Sequence, residues 1–182
     1  MKNILKKVFP WPTVGGYDLY EVQSAFQKSI RRSLENDSLF WGTELYMSEY
    51  ESIAWNRMKI IASEDIGIAD PDVCVRISVL YENWKRDEKA EESKLYFIYA
   101  ILTLVRAKKS RIVDHALITF FEGNRGHRDV PDWALDCHTA KGRSMGRGAD
   151  HFFEFGSILD PNTEYEDAYK EMAHKIRRRK EY

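Results

Sequence analysis

Two cysteines, five prolines and no long apolar run set the first limits on this 182-residue sequence. Cys74 and Cys137 share no paired spacing and neither belongs to a C-x-x-C, so neither a disulfide framework nor a compact thiolate metal centre is expected. No stretch of about 18 apolar residues occurs, which excludes a helical membrane span. Residues 1–10 carry Lys2, Lys6 and Lys7 around an apolar block too weak for a secretory signal, so the expected location is cytoplasmic. A net charge of −1 gives no bulk attraction for a polyanion. Low-complexity segments and repeats are absent. So is any G-x-x-x-x-G-K-[ST] loop, and without that lysine-bearing cradle of backbone donors the chain has no means of hydrolysing a nucleotide.

What remains is a globular composition, 43% hydrophobic and 13% aromatic. Residues 10–16 read as a lead-in, giving an extended arm over residues 1–17. Asp18 with Glu21 makes a capping box for a first helix, whose stripe is Leu19, Val22, Phe26, Ile30 and Leu34. Gln23, Lys28, Arg31 and Arg32 form its polar face. Further helices are expected over residues 38–46 and 51–64, the latter ended by Gly67 in a left-handed conformation. Asp70-Pro71 supplies a cap and a first helical position for the next, along Val73, Ile77, Leu80, Tyr81 and Trp84. After a charged connection at residues 85–92, the nearly all-apolar run 95–105 predicts a central buried helix. Ser110 caps another, Pro131 starts one after a basic loop at residues 123–130, and Gly146 and Gly148 interrupt it. A charged helix closes the chain over residues 163–179, ending in Arg177-Arg178-Arg179-Lys180. The pattern predicts an all-α fold of about seven to nine helices, one domain over residues 18–182.

Charge is uneven. Residues 37–104 hold seven basic against thirteen acidic side chains, and residues 106–147 hold nine against five. Lys108, Lys109, Ser110 and Arg111 precede a helix, where cations and free backbone amides together suit a phosphate; equally, the lysines suit the carbonyls ending the preceding helix. Arg125, Arg128, Lys141, Arg143 and Arg147 extend the basic segment, and the glycines between 142 and 148 allow close approach to a phosphate backbone or simply a tight turn. Glu64-Asp65 and Asp70-Asp72 gather around a helix break. Asp136 and His138 pair as a carboxylate and a base, but no activated nucleophile accompanies them. The five histidines fit no compact ligand spacing, so no metal and no cofactor is expected.

Residues 61–71, Ile-Ala-Ser-Glu-Asp-Ile-Gly-Ile-Ala-Asp-Pro, resemble the "ASEDIG-ADP" signature in the C-terminal domain of the bacterial replication-associated recombination protein A (MgsA) ATPases, relatives of the Werner-helicase-interacting ATPase. Its motif residues here are Ser63, Glu64, Asp65, Gly67, Asp70 and Pro71. Residues 107–113 are similar to that family's "APKSNAVY" turn, keeping Lys109-Ser110 but with Lys108 where the family has proline. The likeness is strongest over residues 40–122, looser to 155. It implies a clamp-loader-collar-like helical domain that forms a homo-oligomer, a tetramer in the family, at stalled forks. Its neighbours there are single-stranded DNA, the protein that coats it, and the AAA+ ATPase module. With no phosphate loop of its own, the chain reads as a free-standing copy of that domain. The expectation is a non-catalytic replication and repair accessory that self-associates and docks on a separate AAA+ ATPase. Trp41, Tyr46, Tyr50 and Trp55 are candidate interface anchors. The alternative is a direct nucleic-acid-binding module using residues 106–147, and a third reading is a small hydrolase using Asp136 and His138.

Overall fold

The computed structural model describes residues 11–87, 90–162 and 166–179. The α-helices among them are α1 (Leu19–Arg31), α2 (Glu35–Met47), α3 (Glu51–Ile61), α4 (Val73–Arg86), α5 (Ser93–Arg106), α6 (Ile112–Leu117), α7 (Ala140–Ser144), α8 (Ala149–His151) and α9 (Lys170–Arg178). Among the described residues no strand occurs, only an isolated bridge between Pro12 and Asp18, and the chain is all-α. No described helix is long and apolar enough to cross a membrane. The chain divides into two units, Met1–Arg125 and Gly126–Tyr182.

The first unit holds the large core. Asp18 caps α1 by accepting the Tyr20 and Glu21 amides on its carboxylate, and Leu19, Val22, Phe26 and Ile30 are buried as their spacing requires. Leu34 is exposed, because α1 ends at Arg31 and Ser33 turns the chain with φ 57°. α2 therefore begins three residues before the expected position and docks on α1 through a buried hydroxyl pair, Ser38 to Ser29 at 3.1 Å. α5 is central, packing against α1, α2, α3 and α4. It buries Phe97, Ala100, Ile101, Leu104 and Val105 but leaves Leu95 and Tyr99 outside, so its apolar composition is wider than its buried face. Trp55 is fully buried among Tyr81, Trp84 and Phe97, and Trp41, Tyr46 and Tyr50 pack against the same core. These four aromatics, expected as interface anchors, are core residues and their rim.

Residues 11–18 close a small turn, with the Gly16 amide donating to the Thr13 carbonyl and the Thr13 amide to that of Tyr17. The Gly15 amide ties it to Glu44 and the Val14 amide to Ser48. Residues 1–10, the bulk of the expected arm, lie outside the described residues. α3 runs into a single wide π turn, Ala62–Ile66, followed by a 3₁₀ turn, Gly67–Ala69. Asp70-Pro71 does not open α4 directly: Pro71 and Asp72 form a further turn, and the helix starts at Val73.

The second unit is built from short pieces: a 3₁₀ turn at Asp132–Ala134 where a helix after Pro131 was expected, then α7, α8 running into a π turn, and α9. Among its described residues only Cys137 and Ala149 are buried apolar side chains. Of the expected terminal helix, residues 163–165 and Lys180 lie outside the described residues, and α9 spans Lys170–Arg178.

Candidate functional site

The two family-like motifs meet. The π turn at the end of α3 brings Glu64 and Asp65 under α1, and the turn before α6 reaches the same place from the other side. The Ser110 amide donates to the Asp65 carbonyl at 2.9 Å. The Asp65 side chain, 0% exposed, accepts from Arg31 Nε at 2.6 Å and Gln27 Nε2 at 3.1 Å, with Arg111 at 3.7 Å. Glu64 meets Arg31 at 3.0 Å and Arg111 at 3.4 Å, and accepts from Gln27 Nε2 at 3.1 Å. Asp114 closes the group by pairing with Arg111, and Arg57 donates to Gln23 and Gln27 from α3. Asp114 heads the interactions that raise the Arg111 pKa above its ordinary value, against opposing desolvation. Arg31 and Arg111 pair with the three carboxylates, and Arg57 backs them through Gln27, so the charges of the cluster nearly balance. A buried charge persists only when paired and hydrogen-bonded in this way, and the cluster holds the break between α3 and α4 in shape.

Gly67 belongs to the same junction. Its φ is 48° with ψ −124°, a glycine region but not the left-handed helical one expected, and a Cβ there would lie 2.7 Å from Val113 Cγ2. Asp70 pairs with Arg76. Ser63 donates weakly to the Lys59 carbonyl, and Pro71 sits in the exposed turn before α4.

The expected phosphate-binding residues divide by unit and by occupation. In the first unit, Lys109 Nζ donates to the carbonyls of Leu104, Val105 and Ala107 at 2.6–3.0 Å, ending α5. Burial pushes its ammonium below the ordinary lysine range. Ser110 accepts the Ile112 amide at the start of α6, and Arg111 is held by carboxylates. Lys108 and Arg125 are exposed. In the second unit, Arg147 donates to the Asp132 and Leu135 carbonyls and to the Asp132 carboxylate at 2.5–2.8 Å, and Arg143 donates to the Cys137 carbonyl. Arg128 and Lys141 are exposed. Among the described residues, the side chains of Lys108, Arg125, Arg128 and Lys141 have no ion pair or hydrogen bond. Gln27, Arg31, Arg57 and Asp114 were not singled out from the sequence as site residues. The usable signal was the polar run Gln23, Gln27 and Arg31 at helical spacing, which reads as a solvated face and packs instead on the motif.

Asp136, Cys137 and His138 lie on one turn, their ligand atoms within 4.8 Å of one another. Asp136 Oδ1 accepts the His138 amide at 2.8 Å and lies 3.3 Å from His138 Nδ1, and Cys137 Sγ is 3.6 Å from that same nitrogen. Burial pushes the Asp136 carboxyl upward, but the His138 N–H groups together draw it below its ordinary value of 3.8. A nucleophile–base–carboxylate relay needs its two partners on opposite ring nitrogens. Here thiol and carboxylate share one, so the arrangement does not form a relay.

The family described as "MgsA AAA+ ATPase C terminal" matches residues 33–178. Replication-associated recombination protein A of Bacillus subtilis (strain 168) is 35% identical over 137 residues, 72% of this chain and 32% of the relative. A protein of the same name from Haemophilus influenzae (strain ATCC 51907 / DSM 11121 / KW20 / Rd) is 29% identical over 124 residues, 68% of this chain and 27% of the relative. The chain thus spans about a third of the length of these relatives. It belongs to the MgsA AAA+ ATPase C-terminal family.

Proposed function

We propose that this chain is a non-catalytic, self-associating element of DNA replication and repair, joined to its own copies through helix α6. The observation that carries the proposal is the exposed apolar surface of residues 112–122. Ile112, Val113, Leu117, Ile118, Phe120 and Phe121 are all exposed there, Phe121 at 84%. Beside them Ile60, Val113 and Leu117 line a groove above the ion cluster. Contiguous apolar surface of this kind marks a partner surface on a folded protein. The ion cluster supports the reading by giving α6 a fixed base. The relatives' name, Replication-associated recombination protein A, supports the replication setting, and the family's description supports an AAA+ ATPase neighbour. The same proposal includes cytoplasmic residence. Light scattering across micromolar concentrations tests the proposal: an oligomer is expected, and a monomer throughout overturns it.

A second reading, direct contact with nucleic acid, is favoured by unengaged cations within each unit, Lys108 and Arg125 in the first and Arg128 and Lys141 in the second. Fluorescence anisotropy with single-stranded DNA at low and high salt tests it. Binding through so few phosphates would be weak, with a salt dependence that is shallow because it scales with the number of contacts, and its absence at low salt removes the reading.

A further inference from the structure

Among its described residues, the Gly126–Tyr182 unit has almost no hydrophobic core. The large buried cluster is drawn from α1 to α5 and the turn after α3, whereas the second unit buries only Cys137 and Ala149 among its described apolar side chains. A unit this small with so little buried apolar area needs another source of stability: a disulfide, a metal or association. Cys137 is its single cysteine, which removes an internal disulfide.

The most enclosed point of the unit is itself made of metal-ligating side chains. Asp136 and Cys137 are buried, and the backbone is drawn tightly around them. A Cβ on Gly142 would strike the Asp136 carbonyl oxygen at 1.9 Å, and one on Gly156 would come within 2.9 Å of Asp136 Oδ2. The Thr139 amide and hydroxyl both donate to the Asp136 carbonyl, and Arg143 holds the Cys137 carbonyl. This turn sets Sγ of Cys137 3.6 Å and Oδ1 of Asp136 3.3 Å from Nδ1 of His138. Around a tetrahedral zinc ion, with bonds of about 2.3 Å to sulfur and about 2.0–2.1 Å to nitrogen and oxygen, the S···N edge is about 3.6 Å and the N···O edge about 3.3 Å. Two of the three edges therefore already have tetrahedral length.

We propose that Asp136, Cys137 and His138 form a binding site for a divalent metal of the zinc class, which staples the second unit. A thiolate, an imidazole and a carboxylate together favour zinc over magnesium or calcium, whose sites are all oxygen. Binding exchanges the Cys137 thiol proton for the metal and moves the remaining imidazole proton to Nε2. The half-exposed His138 ring gives the metal its path in, and three protein ligands leave the fourth position to solvent. The site therefore exchanges its metal more readily than a closed four-ligand centre.

Titration of the reduced, chelator-stripped full chain with cobalt(II), then zinc(II), tests the proposal. One equivalent of cobalt is expected to give the visible bands of a tetrahedral site with a near-ultraviolet thiolate charge-transfer band, both bleached by zinc. Zinc is also expected to protect the second unit from proteolysis. Cys137→Ser should abolish the charge-transfer band. His138→Ala, at a half-exposed position, should weaken binding by more than about tenfold while circular dichroism keeps its helical signal, since even outer partners of metal ligands cost that much. His127→Ala and Cys74→Ser, neither on the Asp136–His138 turn, should change nothing. Absence of the charge-transfer band in the unmodified chain overturns the site, as does a band that survives His138→Ala at unchanged affinity or disappears with Cys74→Ser.

Discussion

The main-chain N–H of Ser110 donates to the main-chain carbonyl of Asp65 at 2.9 Å, and this bond joins the turn before α6 to the break between α3 and α4. Directly below it the Asp65 carboxylate is wholly buried and matched by Arg31 at 2.6 Å. Removing one partner of such a pair strands the other. Asp65→Ala is therefore expected to lower unfolding free energy by about 3 kcal/mol, the low end for a broken buried pair because Arg31 keeps some solvent contact. Urea denaturation measures it, and a loss below about 1 kcal/mol would mean that the cluster behaves as a surface pair.

Gly67→Ala tests the same junction through the backbone. The residue holds φ 48° with ψ −124°, and a methyl group there meets Val113 at 2.7 Å. Backbone strain of this kind costs about 1–3 kcal/mol. Because Val113 lies on α6, the variant is also expected to loosen that helix. Amide hydrogen exchange over residues 112–122 should quicken more than over α1.

Lys109 and Lys108 are neighbours with opposite expected behaviour. Lys109 satisfies three carbonyls at the end of α5, and its truncation leaves them unpaired at a cost of about 1–3 kcal/mol. Lys108 is exposed, and Lys108→Ala should leave the melting temperature unchanged. If single-stranded DNA is bound, Lys108→Ala should weaken it. Equal effects of the two variants on stability would contradict the division of labour drawn between them.

The fold was legible wherever hydrophobic period alone decides structure. Leu19, Val22, Phe26 and Ile30 form a buried stripe at the expected spacing, and Val73, Ile77, Leu80 and Trp84 form another. Boundaries set by turns were less legible: Asp70-Pro71 carries good start signals, yet the chain makes one more turn before Val73. The ion cluster was not legible because its bonds are long-range. Arg31 and Asp65 lie 34 residues apart, and nothing local to either marks the other. Asp136 and His138 were legible as a pair, but their convergence with Cys137 was not, for the reverse reason. Spacing patterns describe helices and knuckles, whereas three consecutive side chains converge only if the backbone turns sharply, as it does against Gly142.

Glu35 and Arg106 give a pH-dependent contribution of known sign. The carboxylate accepts from Arg106 Nε at 2.7 Å and Nη2 at 2.9 Å, and these hydrogen bonds hold its pKa below the ordinary 4.5. A carboxyl whose folded pKa is depressed stabilises the fold fully above its unfolded pKa and loses that contribution as pH falls through the folded value. The pair is exposed, so salt screens it. Melting temperatures of the unmodified chain and Glu35→Gln should therefore differ at neutral pH in low salt. They should converge below the folded pKa of Glu35 and at ionic strengths of about 1 M.

Leu117 on α6 and Phe121 on the π turn that follows it, Ile118–Glu122, decide whether this face is an interface. Both are exposed, and neither belongs to the buried core of the first unit, so replacing them with aspartate leaves that core intact. If α6 packs against a second copy, each aspartate is desolvated in the assembly and unpaired there, a penalty much larger than the lost apolar contact. Leu117→Asp and Phe121→Asp are thus expected to shift the chain toward monomer in light scattering while circular dichroism keeps its helical signal. The double variant should remain monomeric at concentrations where the unmodified chain is fully assembled. If both variants associate as the unmodified chain does, the joining surface lies elsewhere on the molecule. The exposed apolar face of residues 112–122 would then belong to contact with a different partner.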